Sequence, residues 1–160
     1  MRMPLNGRRR FASALLFFLL AVSVAFPAWA SSLQGEWLTQ DRDGVIAISA
    51  CPQGWCGRIV GMAETVRPDG SLPADPQGRP MCGLTILVVS RAGSDAWEGR
   101  ITDPETGTAW SCRLWLDEMG QLHVRGYVLV PLLGQTQIWT RSTMLLRPDC
   151  AMPGAPARGS

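Results

Sequence analysis

Lysine is missing from this 160-residue chain, and histidine and tyrosine occur once each. All fifteen basic residues are therefore arginine, and those past residue 40 stand singly among acids. Such scatter lacks the clustered positive patch by which nucleic acid or anionic lipid is held. His123 is the lone imidazole and no Cys-x-x-Cys spacing occurs, so a zinc site has too few ligands. A hydrolase relay needs an imidazole or comparable base, and His123 alternates with apolar Leu122 and Val124, which places it on the solvent side of a strand. Glycine-rich phosphate loops are absent too. Asp103 and Glu105, the nearest approach to a glycosidase carboxylate pair, fall in Asp103-Pro104-Glu105-Thr106-Gly107, which is turn chemistry. No catalytic residue, metal site or cofactor emerges, and the chain reads as a non-enzyme.

What is present begins with an export leader. Arg8-Arg9-Arg10 precedes an apolar run from Phe11 to Phe26, and Ala28-Trp29-Ala30 supplies the small-x-small exit of a secretory signal. The run is shorter than the roughly twenty residues a membrane span needs, and Ser13 and Ser23 interrupt it. Residues 1–30 are therefore expected to be removed, with a soluble, unanchored chain starting near Ser31. No cysteine follows the run directly, so an N-terminal lipid is not expected. Arg8-Arg9-Arg10-Phe11 also resembles a twin-arginine signal, although the leucine-rich core suits the general secretory route better. Losing four arginines and no acids turns the formal charge of +2 into about −2. About 130 residues remain, enough for one core.

Export gives the five cysteines an oxidising compartment, and an odd number leaves at least one unpaired within the chain. Cys51 and Cys56 flank Pro52 and Gly54, whose turn brings the two within bridging distance. The second expected bridge joins Cys82 to Cys112 and leaves Cys150 in the tail. A bond from Cys150 to Cys82 or Cys112 is the alternative, and it requires the tail to be tied down.

No stretch of the remainder carries a helical period, whereas short alternating segments recur between turn signals. Strands are expected at 33–39, 44–50, 56–62, 84–90, 96–102, 108–116, 121–130 and 135–141. Asp43-Gly44, Ala92-Gly93-Ser94, Asp103 to Gly107 and Glu118-Met119-Gly120 supply the turns. Alternation puts Trp110, Cys112, Leu114 and Leu116 on one face, with Leu122, Val124 and Gly126, then Gln135, Gln137, Trp139 and Arg141. Eight strands joined mainly by hairpins suit an all-β, antiparallel up-and-down barrel over residues 31–148, because closure removes both edges. The exception is the stretch from Ala63 to Cys82, whose four prolines and two glycines mark a long loop or lid. Residues 149–160 are expected to form a disordered tail.

The order of short motifs adds a relative. Gly35-Glu36-Trp37, Cys56-Gly57-Arg58-Ile59-Val60, Arg79-Pro80-Met81-Cys82-Gly83-Leu84, Val124-Arg125-Gly126-Tyr127 and Gly134-Gln135-Thr136-Gln137-Ile138-Trp139-Thr140-Arg141 together resemble an uncharacterised bacterial secreted family, domain of unknown function 2147. The resemblance implies a small lipocalin-like barrel exported to the periplasm, and it brings no reaction. Lipocalins place a Gly-x-Trp on the first strand and an arginine near the barrel's end, so Trp37 and Arg141 are similar in type and order to that closing pair. A guanidinium over an indole contributes about 0.5–2 kcal/mol.

Two functional readings stay open at this level. In one, the barrel binds a small apolar or amphiphilic ligand, with Trp110, Leu114, Trp139 and the proline-rich loop lining or covering the mouth. In the other, those side chains fill the interior, and Trp55 and Trp115 on the surface contact an envelope protein, making the chain a scaffold. An apolar cavity of several hundred Å3 favours the first.

Overall fold

The computed structural model describes residues 32–155. The expected leader, its exit at Ala30 and the last residues, 156–160, lie outside the described residues. Eight strands run in chain order: β1 Gly35–Leu38, β2 Gly44–Cys51, β3 Gly54–Met62, β4 Thr85–Ala92, β5 Ala96–Thr102, β6 Ala109–Leu116, β7 Leu122–Tyr127 and β8 Gln135–Arg141. Each pairs antiparallel with the next, and β8 returns to β1, so the sheet is a closed barrel. Closure leaves no exposed strand edge, which is the liability an eight-strand meander would otherwise carry. The β1–β8 seam is short, with Trp37 opposite Arg141 and Leu38 opposite Thr140. Beyond it the side chain of Gln40 accepts the Ile138 N–H at 3.0 Å, taking the place of a missing ladder partner.

Turns form where short polar residues can occupy free backbone groups. Asp103 Oδ1 accepts the N–H of Glu105 at 2.8 Å, and Asp117 Oδ1 accepts those of Met119 and Gln121 at 2.9 and 2.8 Å. Gly107 and Gly120 finish these turns at φ 71° and 75°, a region in which a Cβ is strained.

Alternation decides what is inside. Trp97 on β5 faces Leu114 on β6, Leu114 faces Val124 on β7, and Leu122 faces Trp139 on β8, making a continuous inner band of buried side chains. Burying each of these contributes about 1.5–3 kcal/mol. A bulge at Ile86, where the register jumps from Gly57↔Leu87 to Arg58↔Thr85, allows two consecutive residues, Ile86 and Leu87, to be buried together.

The C-terminal segment corrects two expectations. Residues 149–152 are not a disordered tail: Cys150, Ala151 and Met152 are buried, and Ala151 pairs with Met62 as a parallel bridge. Met62 N donates to the Cys150 carbonyl at 2.7 Å and Met152 N to the Met62 carbonyl at 3.0 Å. This strap lies on the outer wall, where Met144, Leu146 and Met152 cover Leu38, Val45 and Val60 in a second apolar cluster. Its disulfide joins Cys150 to Cys82, not Cys112 to Cys82, whereas Cys51–Cys56 forms as expected. The reason is the pleat. Cys112 points into the barrel, fully buried and opposite Gly99, and so never meets a loop cysteine on the outside. Burial pushes its thiol up to about 12, which keeps it protonated and unreactive.

β7 also stops early. Residues 128–130, expected as strand, leave the sheet at Leu129 (φ 69°) and lead into a single 3-10 turn, Pro131–Leu133.

Candidate functional site

In an up-and-down barrel, alternate connections gather at the same end. The β1–β2 turn, the 63–84 loop, the β5–β6 turn and the β7–β8 connection therefore surround one opening, and behind it lies a cavity of about 940 Å3. Ile46, Ile59, Val124 and Trp139 form its apolar floor, while Ile86, Ile101, Met81 and Trp110 form the walls. Trp139 is held by its neighbour two residues back, its Nε1 donating to Gln137 Oε1 at 2.8 Å. Gln135 and Gln137 count as exposed because they stand on the inner face of β8 beside the open cavity.

The rim differs sharply from the floor. Asp41, Asp43, Glu64, Asp103 and Glu105 line the opening, with Arg67 as the cation among them. Arg67 is itself engaged, donating to the Ala74 carbonyl at 2.9 Å. Like-signed carboxylates around a low-dielectric mouth focus a negative potential into it.

The proline-rich stretch covers part of this opening as an ordered loop. Asp75, buried, organises it: Oδ1 accepts the N–H groups of Gln77 and Arg79 at 3.0 and 2.8 Å, and Oδ2 takes the Arg79 guanidinium at 2.6 Å. Burial acts to raise the Asp75 carboxyl, but the Arg79 backbone and guanidinium and the Gln77 N–H outweigh it and hold the group below its ordinary value. Ala74 and Pro80 pair across the resulting small hairpin. Met81 N donates to the Pro73 carbonyl at 3.0 Å, which sets the Met81 side chain, nearly buried, against the cavity.

The other end of the barrel is plugged. Arg141 Cζ lies 4.0 Å from the Trp37 ring centroid, and its guanidinium donates to the carbonyls of Ser32 and Gln34. Trp37 is fully buried and its Nε1 donates to the Leu33 carbonyl at 2.9 Å. Gly35 is required here: a Cβ on it would occupy the place of the guanidinium.

Of the residues expected to line a ligand site, Trp110 and Trp139 face the cavity, and Leu114 does not. Leu114 sits beneath the floor between Trp97 and Val124, with no exposure at all, as part of the packed plug. Trp55 is only partly at the surface; half-buried, it packs against the inner core opposite Ala50 and Val89. Trp115 is on the outer wall as alternation requires, stacked on His123 with centroids 4.9 Å apart. That stacking half-buries His123 instead of leaving it in solvent, and its Nε2 lies 3.0 Å from Asp117 Oδ2. The contact with His123, together with backbone N–H donors, holds the Asp117 carboxyl below its ordinary value.

A family model described as an uncharacterized protein conserved in bacteria (DUF2147) matches residues 35–141. Among solved structures, the chain is similar to HP1028 from the human pathogen Helicobacter pylori, described as belonging to the lipocalin family. The TM-score is 0.56 at 16% identity, over 70% of this chain and 84% of that one. A search of curated proteins finds no match. At this identity the structural likeness concerns the fold: a lipocalin-like barrel.

Proposed function

This chain belongs to the DUF2147 family, and from that premise we propose that it is a non-enzymatic periplasmic carrier that holds a small apolar or amphiphilic molecule. One observation carries the reading: a cavity of about 940 Å3, floored by apolar side chains and sealed at its far end, opens to solvent at the mouth. Ligand sites of this kind span roughly 300–1,000 Å3, mostly apolar with a few polar groups that orient the occupant. Gln135 and Gln137 are those groups here. The five rim carboxylates favour a neutral or cationic head group over a fatty-acid carboxylate, which they would repel as it entered. An open interior supports this reading over a filled scaffold, and the partial burial of Trp55 against the inner core leaves less of it for one of the scaffold's two proposed contacts. The apolar leader and two disulfides support export to an oxidising compartment.

Uptake of the neutral dye N-phenyl-1-naphthylamine tests it. The protein should enhance the dye's fluorescence, Trp139→Arg should weaken binding at least tenfold, and Trp115→Arg on the outer wall should leave it within about twofold, since 1.4 kcal/mol is a factor of ten. A fatty-acid analogue should bind more weakly than the neutral dye, and salt should narrow the gap. Folded protein that takes up neither probe overturns the carrier.

A further inference from the structure

The β7–β8 connection is the most apolar exposed segment of the described residues. Val128, Leu129, Val130, Leu132 and Leu133 all face solvent, with Leu129 89% and Leu132 85% exposed. A run of large aliphatics left in water is unfavourable and marks a protein or membrane contact. The segment is held firmly in that state. Arg125 Nε donates to the Pro131 carbonyl at 2.6 Å, its Nη2 to the Leu132 carbonyl at 3.2 Å and its Nη1 to Thr136 Oγ1 at 2.8 Å. Val130 N, Leu133 N and Gly134 N donate to the carbonyls of Val128, Val130 and Pro131 at 2.9, 3.1 and 3.1 Å.

We propose that residues 128–133 form a lipid-docking tip that enters the surface of a zwitterionic membrane and turns the barrel mouth toward it. Three observations select lipid over protein. The tip is one short connection, residues 128–133, against the roughly 20–30 residues per side of a stable protein interface. It consists of leucine and valine, which are under-represented at protein hot spots, and has no tryptophan, tyrosine or free arginine to anchor a partner. The carbonyls of Val128, Val130, Pro131 and Leu132 and the N–H groups of Val130 and Leu133 are paired within the segment, by Gly134 or by Arg125, which lowers the cost of bringing this backbone into an apolar surface. Charge then selects the lipid: the neighbouring rim carries five carboxylates, and the arginine that holds the tip is occupied by it, so anionic head groups are disfavoured. Val128 and Leu133 also line the cavity, which makes the tip continuous with the opening.

Vesicle flotation with pure phosphatidylcholine is the test, using the exported form expected to start near Ser31, so that the apolar run and arginines of residues 1–30 do not themselves drive flotation. The parent should float with the vesicles, and the double variant Leu129→Asp/Leu132→Asp should lose binding at least tenfold while still taking up N-phenyl-1-naphthylamine. Replacing a third of the lipid with phosphatidylglycerol should weaken binding. A Leu132→Trp variant should gain fluorescence that brominated phosphatidylcholine quenches beyond the parent's loss. Equal flotation of parent and double variant, binding that requires phosphatidylglycerol, no added quenching, or a lipid-free dimer that the double variant abolishes would each overturn it.

Discussion

The two ends of the barrel solve opposite problems with different means. At the closed end Trp37, Leu114, Leu122 and the Arg141 guanidinium fill the space, and packing itself holds the strands. At the mouth the centre is hollow, the aromatics are only partly covered, and order comes from outside: the strap on the outer wall, the Cys82–Cys150 bond and the Asp75 knot. A hollow region forgoes the dispersion and burial that stabilise a core, so it must be braced from its periphery. Capacity for a ligand and the peripheral brace are thus two aspects of one design.

Mutation should separate the ends by size of effect. Trp37→Ala removes a fully buried indole and should cost about 3–5 kcal/mol, whereas half-buried Trp110→Ala at the mouth should cost less than half as much. Equal losses in denaturant unfolding would mean that the mouth is packed as tightly as the plug. Next in size is the brace. The Cys82–Cys150 loop spans 68 residues, so Cys82→Ser/Cys150→Ser should destabilise by about 4 kcal/mol, against about 2 for Cys51→Ser/Cys56→Ser, whose loop spans 5. If the short bridge proves the more important, the strap is not what holds the mouth.

Smaller still is the coupling between Trp37 and Arg141. Each single alanine removes the same contact, so a double-mutant cycle should return about 0.5–2 kcal/mol. Additive losses would show that the plug gains nothing from the guanidinium. The least effect concerns acid. Because the Asp75 carboxyl is held below 3.8 in the folded state, its contribution is complete above that value and is lost as pH falls through the folded one. Unfolding midpoints followed below about pH 4 should therefore decline less steeply for Asp75→Asn than for the parent. An unchanged acid limb would sever the knot from stability.

Much of the framework was legible because alternation is a local property. Trp110, Leu114 and Leu116 on β6, Leu122 and Val124 on β7 and Trp139 on β8 fell on one face whatever the rest of the chain did, and turn residues marked each reversal. The same alternation already turned Cys112 inward beside Trp110 and Leu114, so its pairing with an outer loop cysteine contradicted information in hand. Cys150 was harder: only three-dimensional return of the chain shows that residues 144–152 find an apolar outer stripe at Leu38, Val45 and Val60. The depth of the floor was also invisible, since Leu114 and Trp110 share a face and only the plug's height separates core from cavity. The acidic rim was within reach, because odd-numbered connections of a meander share an end, and Asp41, Asp43, Glu64, Asp103 and Glu105 all fall in them. The aliphatics of residues 128–130 imitated strand, and hydrophobicity alone does not say whether a segment faces a core or water.

The loop from Ala63 to Cys82 has both feet fixed at nearly one place. Met62 is hydrogen-bonded to Cys150, and Cys82 is covalently bonded to it. Between those feet the span touches the barrel through the Ala63 N–H on the Asp43 carbonyl and through Met81 in the inner core, while the hairpin at Ala74 and Pro80 is held by the loop's own bonds. Lengthening or shortening the span adds only a slowly growing closure cost, about 0.6 kcal/mol per doubling, and leaves the strand register untouched. The cover of the mouth is thereby a replaceable part, the stretch of this molecule whose length and sequence can change without the wall having to be rebuilt.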